Sequence, residues 1–86
     1  MLQPDEFPLD QATPGEEVIL ERITEEAEVN LELMHYLQSH GLGPGARVRI
    51  VRIEAFNRVM AVQGPDGEAI LGLDAASQLR ACRLGQ

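Results

Sequence analysis

Hydrophobic and polar residues alternate with a period of two over much of the chain, a pattern that predicts short β-strands. Residues Glu17–Ile23 place apolar side chains on both faces, as expected for a strand that is covered by its neighbours. Residues Arg47–Glu54 change the phase of their alternation partway along, which predicts a bend or bulge. Further strands are predicted at residues 59–63, 68–73 and 80–84.

One segment, residues 30–40, has the period of an amphipathic helix instead. Asn30 is a favourable N-cap residue. The apolar stripe of this helix consists of Leu33, Met34 and Leu37. At its end Gly41 can adopt the left-handed conformation, Leu42 can fold back as the apolar residue of the stop motif, and Pro44 cannot continue the helix. The sequence therefore predicts a helix with a defined C-terminal stop.

The order of these elements indicates the fold class. Residues 64–67 predict a tight hairpin turn, and Asp74 is placed to cap a short helical turn over residues 75–79. One strand, a helix, three strands, a helical turn and a final strand predict a mainly β fold, a small SH3-like, partly open barrel of about five strands. The Pro-rich residues 1–15 are predicted to be an arm or linker, and residues 16–86 to be the domain.

Charge is distributed unevenly along the 86 residues, whose formal net charge is −7. Residues 1–43 hold ten acids and one base, whereas residues 44–86 hold four acids and six bases. The negative total disfavours direct binding to a phosphate backbone. The separation of charge is typical of a domain that docks onto something else.

Several function classes find no support in the sequence. Cys82 is the only cysteine, so a disulfide framework and a cysteine-based zinc site are not expected. No apolar leader and no run of ~20 apolar residues occurs, which predicts a cytoplasmic protein without membrane insertion. The chain has no phosphate-binding glycine loop and no nucleophile elbow, so we do not expect an enzyme.

An acidic run at Glu25, Glu26 and Glu28 is the most informative chemical feature. Carboxylate oxygens suit Mn²⁺ or Fe²⁺ better than softer ions, but so few ligands need partners from elsewhere. Composition alone favours a solvated acidic loop. Glu32 and His35 are weaker alternative ligands, because Glu28, Glu32 and His35 would share one helix face if the helix began a turn early.

The sequence resembles the FeoA-type SH3-like domain over residues 7–84, most of all the C-terminal domain of metal-dependent transcriptional repressors of the diphtheria-toxin-repressor (DtxR) family. The resemblance rests on four short segments: Arg22-Ile23-Thr24-Glu25, Leu31-Glu32-Leu33-Met34, Gly41-Leu42-Gly43-Pro44-Gly45 and Ile70-Leu71-Gly72-Leu73. The spacer between Thr24 and the helix has the length found in the repressors.

The resemblance implies a regulatory role in which other domains of the same chain read DNA and form a homodimer. In those repressors this domain supplies two ligands to an ancillary metal site, from a Thr-Glu-x-x-Gln motif that falls on Glu25 and Glu28. Glu28 departs from the motif because it replaces an amide with a carboxylate, which adds negative charge. The implied cofactor is Fe²⁺ or Mn²⁺, bound weakly or not detectably by the isolated domain.

Two alternatives stay open. One is a free-standing FeoA-type accessory protein of ferrous iron transport, which the acidic segment at residues 24–28 and the longer spacer disfavour. The other is a general protein-interaction module with no metal role.

Overall fold

The computed structural model describes residues 6–84. Six strands form within this range: β1 (Glu6–Pro8), β2 (Glu17–Ile23), β3 (Arg47–Glu54), β4 (Val59–Gly64), β5 (Gly67–Gly72) and β6 (Leu79–Arg83). The helices are α1 (Glu25–Glu28), α2 (Leu31–Ser39) and α3 (Leu73–Ala76), with 3₁₀ turns at Leu9–Gln11 and Ala55–Asn57.

All neighbouring strands pair antiparallel, in the order β1-β6-β2-β3-β4-β5. The sheet bends around one core, but β1 and β5 remain as edges, so the barrel is partly open. The predicted fold class, a mainly β SH3-like barrel, is confirmed. The sheet also bends where the sequence predicted, because the pairing of β3 with β4 shifts register between Ile50 and Arg52.

The sequence did not predict the first strand. Residues 1–5 of the expected arm lie outside the described residues. From Glu6 onward the chain pairs with β6, with Phe7 opposite Ala81, and Leu9 is completely buried. The packed structure therefore begins well before residue 16, where composition placed the start of the domain.

The core is aliphatic and contains no buried polar or charged residue within the described range. Strands β2, β3, β5 and β6 bury alternate residues, as a period of two requires, whereas β4 buries three in a row, Met60, Ala61 and Val62. The large, fully buried side chains are Leu9, Val18, Leu37, Leu42, Val48, Ile50, Met60, Val62 and Leu79.

Helix α2 ends by the motif that its sequence predicted. Gly41 has a φ of +69°, and its N–H donates to the carbonyl of Gln38. The N–H of Leu42 donates to the carbonyl of Leu37 at 2.8 Å, which completes a Schellman motif and buries Leu42. Gly64 leaves the room that Leu42 fills, because a Cβ there would lie 2.8 Å from Leu42 Cδ2.

A hydrogen bond joins α2 to the open edge of the sheet. The backbone N–H of Ile70, in edge strand β5, donates to the hydroxyl of Tyr36 at 3.0 Å. The helix is thus fixed to β5 by a polar contact as well as to the core by Leu37.

The short helical turn before the last strand is present, but its predicted cap is wrong. Helix α3 begins at Leu73, and its N-cap Gly72 provides no side-chain hydrogen bond. Asp74 lies two positions after the N-cap and pairs instead with Arg58, at 2.9 Å.

Candidate functional site

Thr24 fixes the turn that holds the acidic run. Its hydroxyl oxygen accepts from the N–H of Ala27 at 3.4 Å and caps α1. Its backbone N–H donates to the carbonyl of Gln78 at 3.0 Å, and its hydroxyl donates to Gln78 Oε1 at 2.5 Å. Two bonds therefore tie the start of α1 to the segment that precedes β6.

Glu25 and Glu28 are the first and last residues of α1, and both are exposed. Residues three apart lie on the same side of a helix. Ala27 is buried, which fixes the opposite side of this turn against the domain. Among residues 6–84, neither carboxylate has a hydrogen-bond or ion-pair partner.

The acidic segment is thus a short helix and not the loop that composition favoured. The reason is local: Thr24 caps the turn, and carboxylates in a first helical turn interact favourably with its unpaired N–H groups. Sequence reasoning missed Gln78, the residue that anchors Thr24. No local signal could reveal it, because Gln78 lies 54 positions further along the chain.

The structure does not join the alternative ligands to this pair. Asn30 has an extended backbone, with φ −89° and ψ 94°, and caps α2 by accepting from the N–H of Leu33. This residue separates α1 from α2, so Glu28 does not share a helix face with Glu32 and His35. Both of the latter lie exposed on α2.

Two other titratable side chains, those of His40 and Glu54, have hydrogen-bond partners away from the acidic turn. His40 donates from Nδ1 to the carbonyl of Tyr36 at 2.8 Å, and its ring stacks on that of Tyr36. The Asn57 amide and the Arg52 guanidinium, which both donate to Glu54, hold the pKa of that carboxyl below its usual value. These contacts account for His40 and Glu54 without invoking a ligand.

The donor set of Glu25 and Glu28 fits a divalent metal only in part. Two unpartnered carboxylates on one turn provide hard oxygen donors of the kind that Mn²⁺ and Fe²⁺ accept. Across residues 6–84, no three side chains of His, Cys, Asp or Glu come together as a metal-binding group. A site built on this pair therefore needs further ligands from outside the described chain.

A groove of about 500 Å³ lies on the Ala27 side of α1, between α1, the start of α2 and α3. Its lining includes Ala27, Leu33, Ala75, Asn30 and Gln78. The junction between α1 and α2 also leaves Val29 and Leu31 exposed, at 80% and 69%. Carboxylates, an apolar pair and a groove thus meet at one corner of the domain, at the start of α2.

The sequence profile of the FeoA domain family matches residues 7–81. The chain belongs to the FeoA domain family. The match covers β1 to most of β6, so the segment before Glu17 is part of the FeoA domain pattern as well as of the folded sheet.

Solved structures share this fold. A manganese-dependent transcriptional repressor superposes with a TM-score of 0.84 at 20% identity, over 98% of this chain and 45% of that one. A manganese complex of a manganese-dependent transcriptional repressor gives 0.81 at 22%, over 95% and 38%. An iron uptake regulatory protein, FeoA, gives 0.74 at 22%, over 92% and 97%.

These likenesses confirm an FeoA-type SH3-like domain that shares its fold with part of the metal-dependent repressors. The chain spans less than half the length of the two repressors. A comparison with curated protein sequences finds no match. Within residues 6–84, no helix has both the length and the apolar character needed to cross a bilayer.

Proposed function

We propose that this FeoA domain is the regulatory SH3-like domain of an iron- or manganese-dependent transcriptional repressor. It acts in the cytoplasm, without catalysis, through contacts with the other domains of the same chain, and it leaves DNA binding to them. The observation that carries the proposal is the turn at Thr24, which presents Glu25 and Glu28 to solvent with no partner among the described residues.

Glu25 and Glu28 would act as accessory metal ligands. A bound Mn²⁺ or Fe²⁺ would supply a positive charge shared between two domains. The role of this chain is to hold two oxygen donors on a turn fixed by Gln78 and Ala27, so that little ordering is needed when the metal arrives. Ligands tethered beside others on a second domain gain affinity, because their binding is then intramolecular.

The negative charge of Glu25 and Glu28 determines whether metal promotes or opposes docking of the domain. Two carboxylates on one turn repel each other without a cation, which favours arrangements that keep them in water. A metal ion reverses this preference and stabilises the arrangement in which the domain docks. A domain with a net charge of −7 also stays off DNA by itself.

Paramagnetic broadening by Mn²⁺ tests the ligand assignment even if binding is weak. Amide signals of the isotope-labelled 86-residue chain should broaden at residues 24–29, and the double variant Glu25→Gln/Glu28→Gln should lose this effect. The matched control Glu17→Gln/Glu21→Gln removes two exposed carboxylates from β2 and should leave the broadening unchanged.

Two results would contradict the proposal. Broadening that persists in the Glu25→Gln/Glu28→Gln variant would place the metal elsewhere. Tight, stoichiometric Mn²⁺ binding by the 86-residue chain, measured by calorimetry, would show a complete site and not one shared with other domains.

A second candidate function is a free-standing FeoA-type accessory protein of ferrous iron transport. The FeoA structure favours it, because the match covers 97% of that chain. An antibody raised against this domain distinguishes the two in an immunoblot of the source cells. A product much larger than 9.5 kDa supports the repressor domain, and a product of that size supports the free-standing protein.

A further inference from the structure

We propose that the corner at the start of α2 is a docking surface for a basic, amphipathic protein segment. This corner comprises Val29, Leu31 and the carboxylates of Glu25, Glu26, Glu28 and Glu32, together with the adjacent groove. The inference rests on the proposed function in so far as that function requires a docked partner, and it names the surface and the chemistry of that partner.

The apolar part of the surface is continuous in the chain. Val29 and Leu31 flank Asn30 at the junction of α1 and α2, where the backbone is helical at Val29 and extended at Asn30. They are among the most exposed large hydrophobic residues of the described chain, at 80% and 69%. Asn30 itself turns toward α2 to cap it and lines the groove.

The charge around this apolar pair points to the partner. Glu28 directly precedes Val29, and Glu32 directly follows Leu31, so a carboxylate stands at each side of the pair. All four carboxylates of the corner are exposed. The five ion pairs among residues 6–84 use other acids, so the arginines of this domain do not neutralise the corner.

A partner must therefore bring both positive charge and apolar side chains. Basic residues gain most against carboxylates that have no cation of their own, and charge complementarity speeds and orients docking. Burial of Val29 and Leu31 supplies the affinity, since a few central apolar anchors dominate most interfaces. The groove of about 500 Å³ is lined by neither of them and borders the corner through Glu26 and Asn30.

An NMR titration tests this with a defined probe, a synthetic amphipathic helix of leucine and lysine added to the isotope-labelled 86-residue chain. Amide shifts should concentrate in residues 25–33 and in the α3 side of the groove. The variant Val29→Ser/Leu31→Ser should weaken binding at least about tenfold. The matched variant Phe56→Ser/Ile70→Ser, which removes two other exposed hydrophobic residues, should leave the affinity unchanged.

Two control peptides separate the contributions. A helix with glutamate in place of lysine, and one of lysine and alanine without leucine, should both bind much more weakly. Equal binding by the lysine–alanine helix would overturn the proposal, because charge alone would then suffice. Equal weakening by the Phe56→Ser/Ile70→Ser variant would overturn it as well, because the contact would then not be confined to the corner.

A second copy of the chain is the alternative occupant of the corner, because its strand β3 carries arginines. Analytical ultracentrifugation of the chain alone checks this. Dimerisation that disappears in Val29→Ser/Leu31→Ser would assign the corner to self-association and overturn the basic segment. The two proposals can fail separately. If the basic helix binds but Glu25→Gln/Glu28→Gln leaves Mn²⁺ broadening unchanged, only the metal-ligand assignment fails. If Mn²⁺ broadening depends on these two residues but the basic helix does not bind, only the docking surface fails.

Discussion

The two ends of helix α2 differ in how far their leucine side chains are buried. At the C-terminal end Leu42 folds back under the helix and is 1% exposed, whereas at the N-terminal end Leu31 stands 69% exposed beside acidic residues. The Schellman motif closes the C-terminal end, and Tyr36 ties that half of the helix to β5. The difference separates residues that hold the fold from residues that remain available for contact, within a single nine-residue helix.

Leu42→Ala should have the largest effect on this comparison. Removal of a buried leucine side chain costs about 2–5 kcal/mol of the free energy of unfolding, because a cavity remains. Leu31→Ala, the same change at the exposed end, should shift it by no more than about 0.5 kcal/mol. Urea unfolding followed by circular dichroism measures both, and similar losses in the two variants would refute the distinction.

Gly41→Ala addresses the helix stop itself. Gly41 has a φ of +69°, and an alanine there costs about 1–2 kcal/mol because its Cβ is strained in the left-handed region. That Cβ would also lie 2.8 Å from Asp66 Oδ2, the end of a side chain that can move aside. Gly43→Ala is the control, since a Cβ at Gly43 meets nothing within 4 Å. Thermal unfolding should show a lower midpoint for Gly41→Ala alone, and an equal drop in both would mean that the motif is not what stops the helix.

Thr24→Val tests how firmly the acidic turn is fixed. The variant keeps the shape of the side chain and the backbone bond to Gln78 but loses the cap of α1 and the hydroxyl bond to Gln78 Oε1, at an expected cost of about 1 kcal/mol. Hydrogen exchange of the amides at residues 27 and 28 should accelerate. Thr13→Val, at an exposed threonine, should change neither quantity. Unchanged exchange in Thr24→Val would show that the burial of Ala27 and the backbone bond to Gln78 hold the turn without the cap.

The smallest expected effect on stability concerns Glu54, whose carboxylate has hydrogen-bond partners, unlike the carboxylates of the corner. Because Asn57 and Arg52 lower the pKa of Glu54 in the folded state, its contribution to stability is present above the ordinary value of 4.5. This contribution is lost as pH falls through the lowered pKa of the folded state. As the pH is lowered, the urea midpoint of Glu54→Gln should therefore decrease less steeply than that of the wild type.

Asn57→Ala provides the matched test of cause. It removes the hydrogen bond that lowers the pKa of Glu54 most, so its pH dependence should lie between those of the wild type and Glu54→Gln. A slope identical to that of the wild type would mean that Arg52 alone sets the pKa.

Local pattern predicted most of the fold. Strands Glu17–Ile23 and Arg47–Glu54 have the bounds that alternation and the flanking turns predicted, and the stop of α2 follows from Gly41 and Leu42. Strand β1 could not be predicted in this way. Three residues that include Pro8 carry no periodicity, and their pairing depends on β6 at the other end of the chain.

The candidate site was predictable only as residue types. The acidic run showed where carboxylates are concentrated, but not that Thr24 would cap them into a turn or that Gln78 would anchor it. The separation of Glu28 from Glu32 and His35 depends on the extended backbone of Asn30, a conformation that composition does not reveal. Metal ligation by Glu25 and Glu28 stays a prediction.

The hydroxyl of Tyr36 also affects how copies of this protein behave at high concentration. An edge strand with unpaired N–H groups is a template onto which another chain can add a strand, and repetition of that step produces aggregates. By accepting the N–H of Ile70, Tyr36 occupies one of the outward-facing groups of β5. The contact that positions α2 thus also hinders self-templated growth from the open side of the barrel.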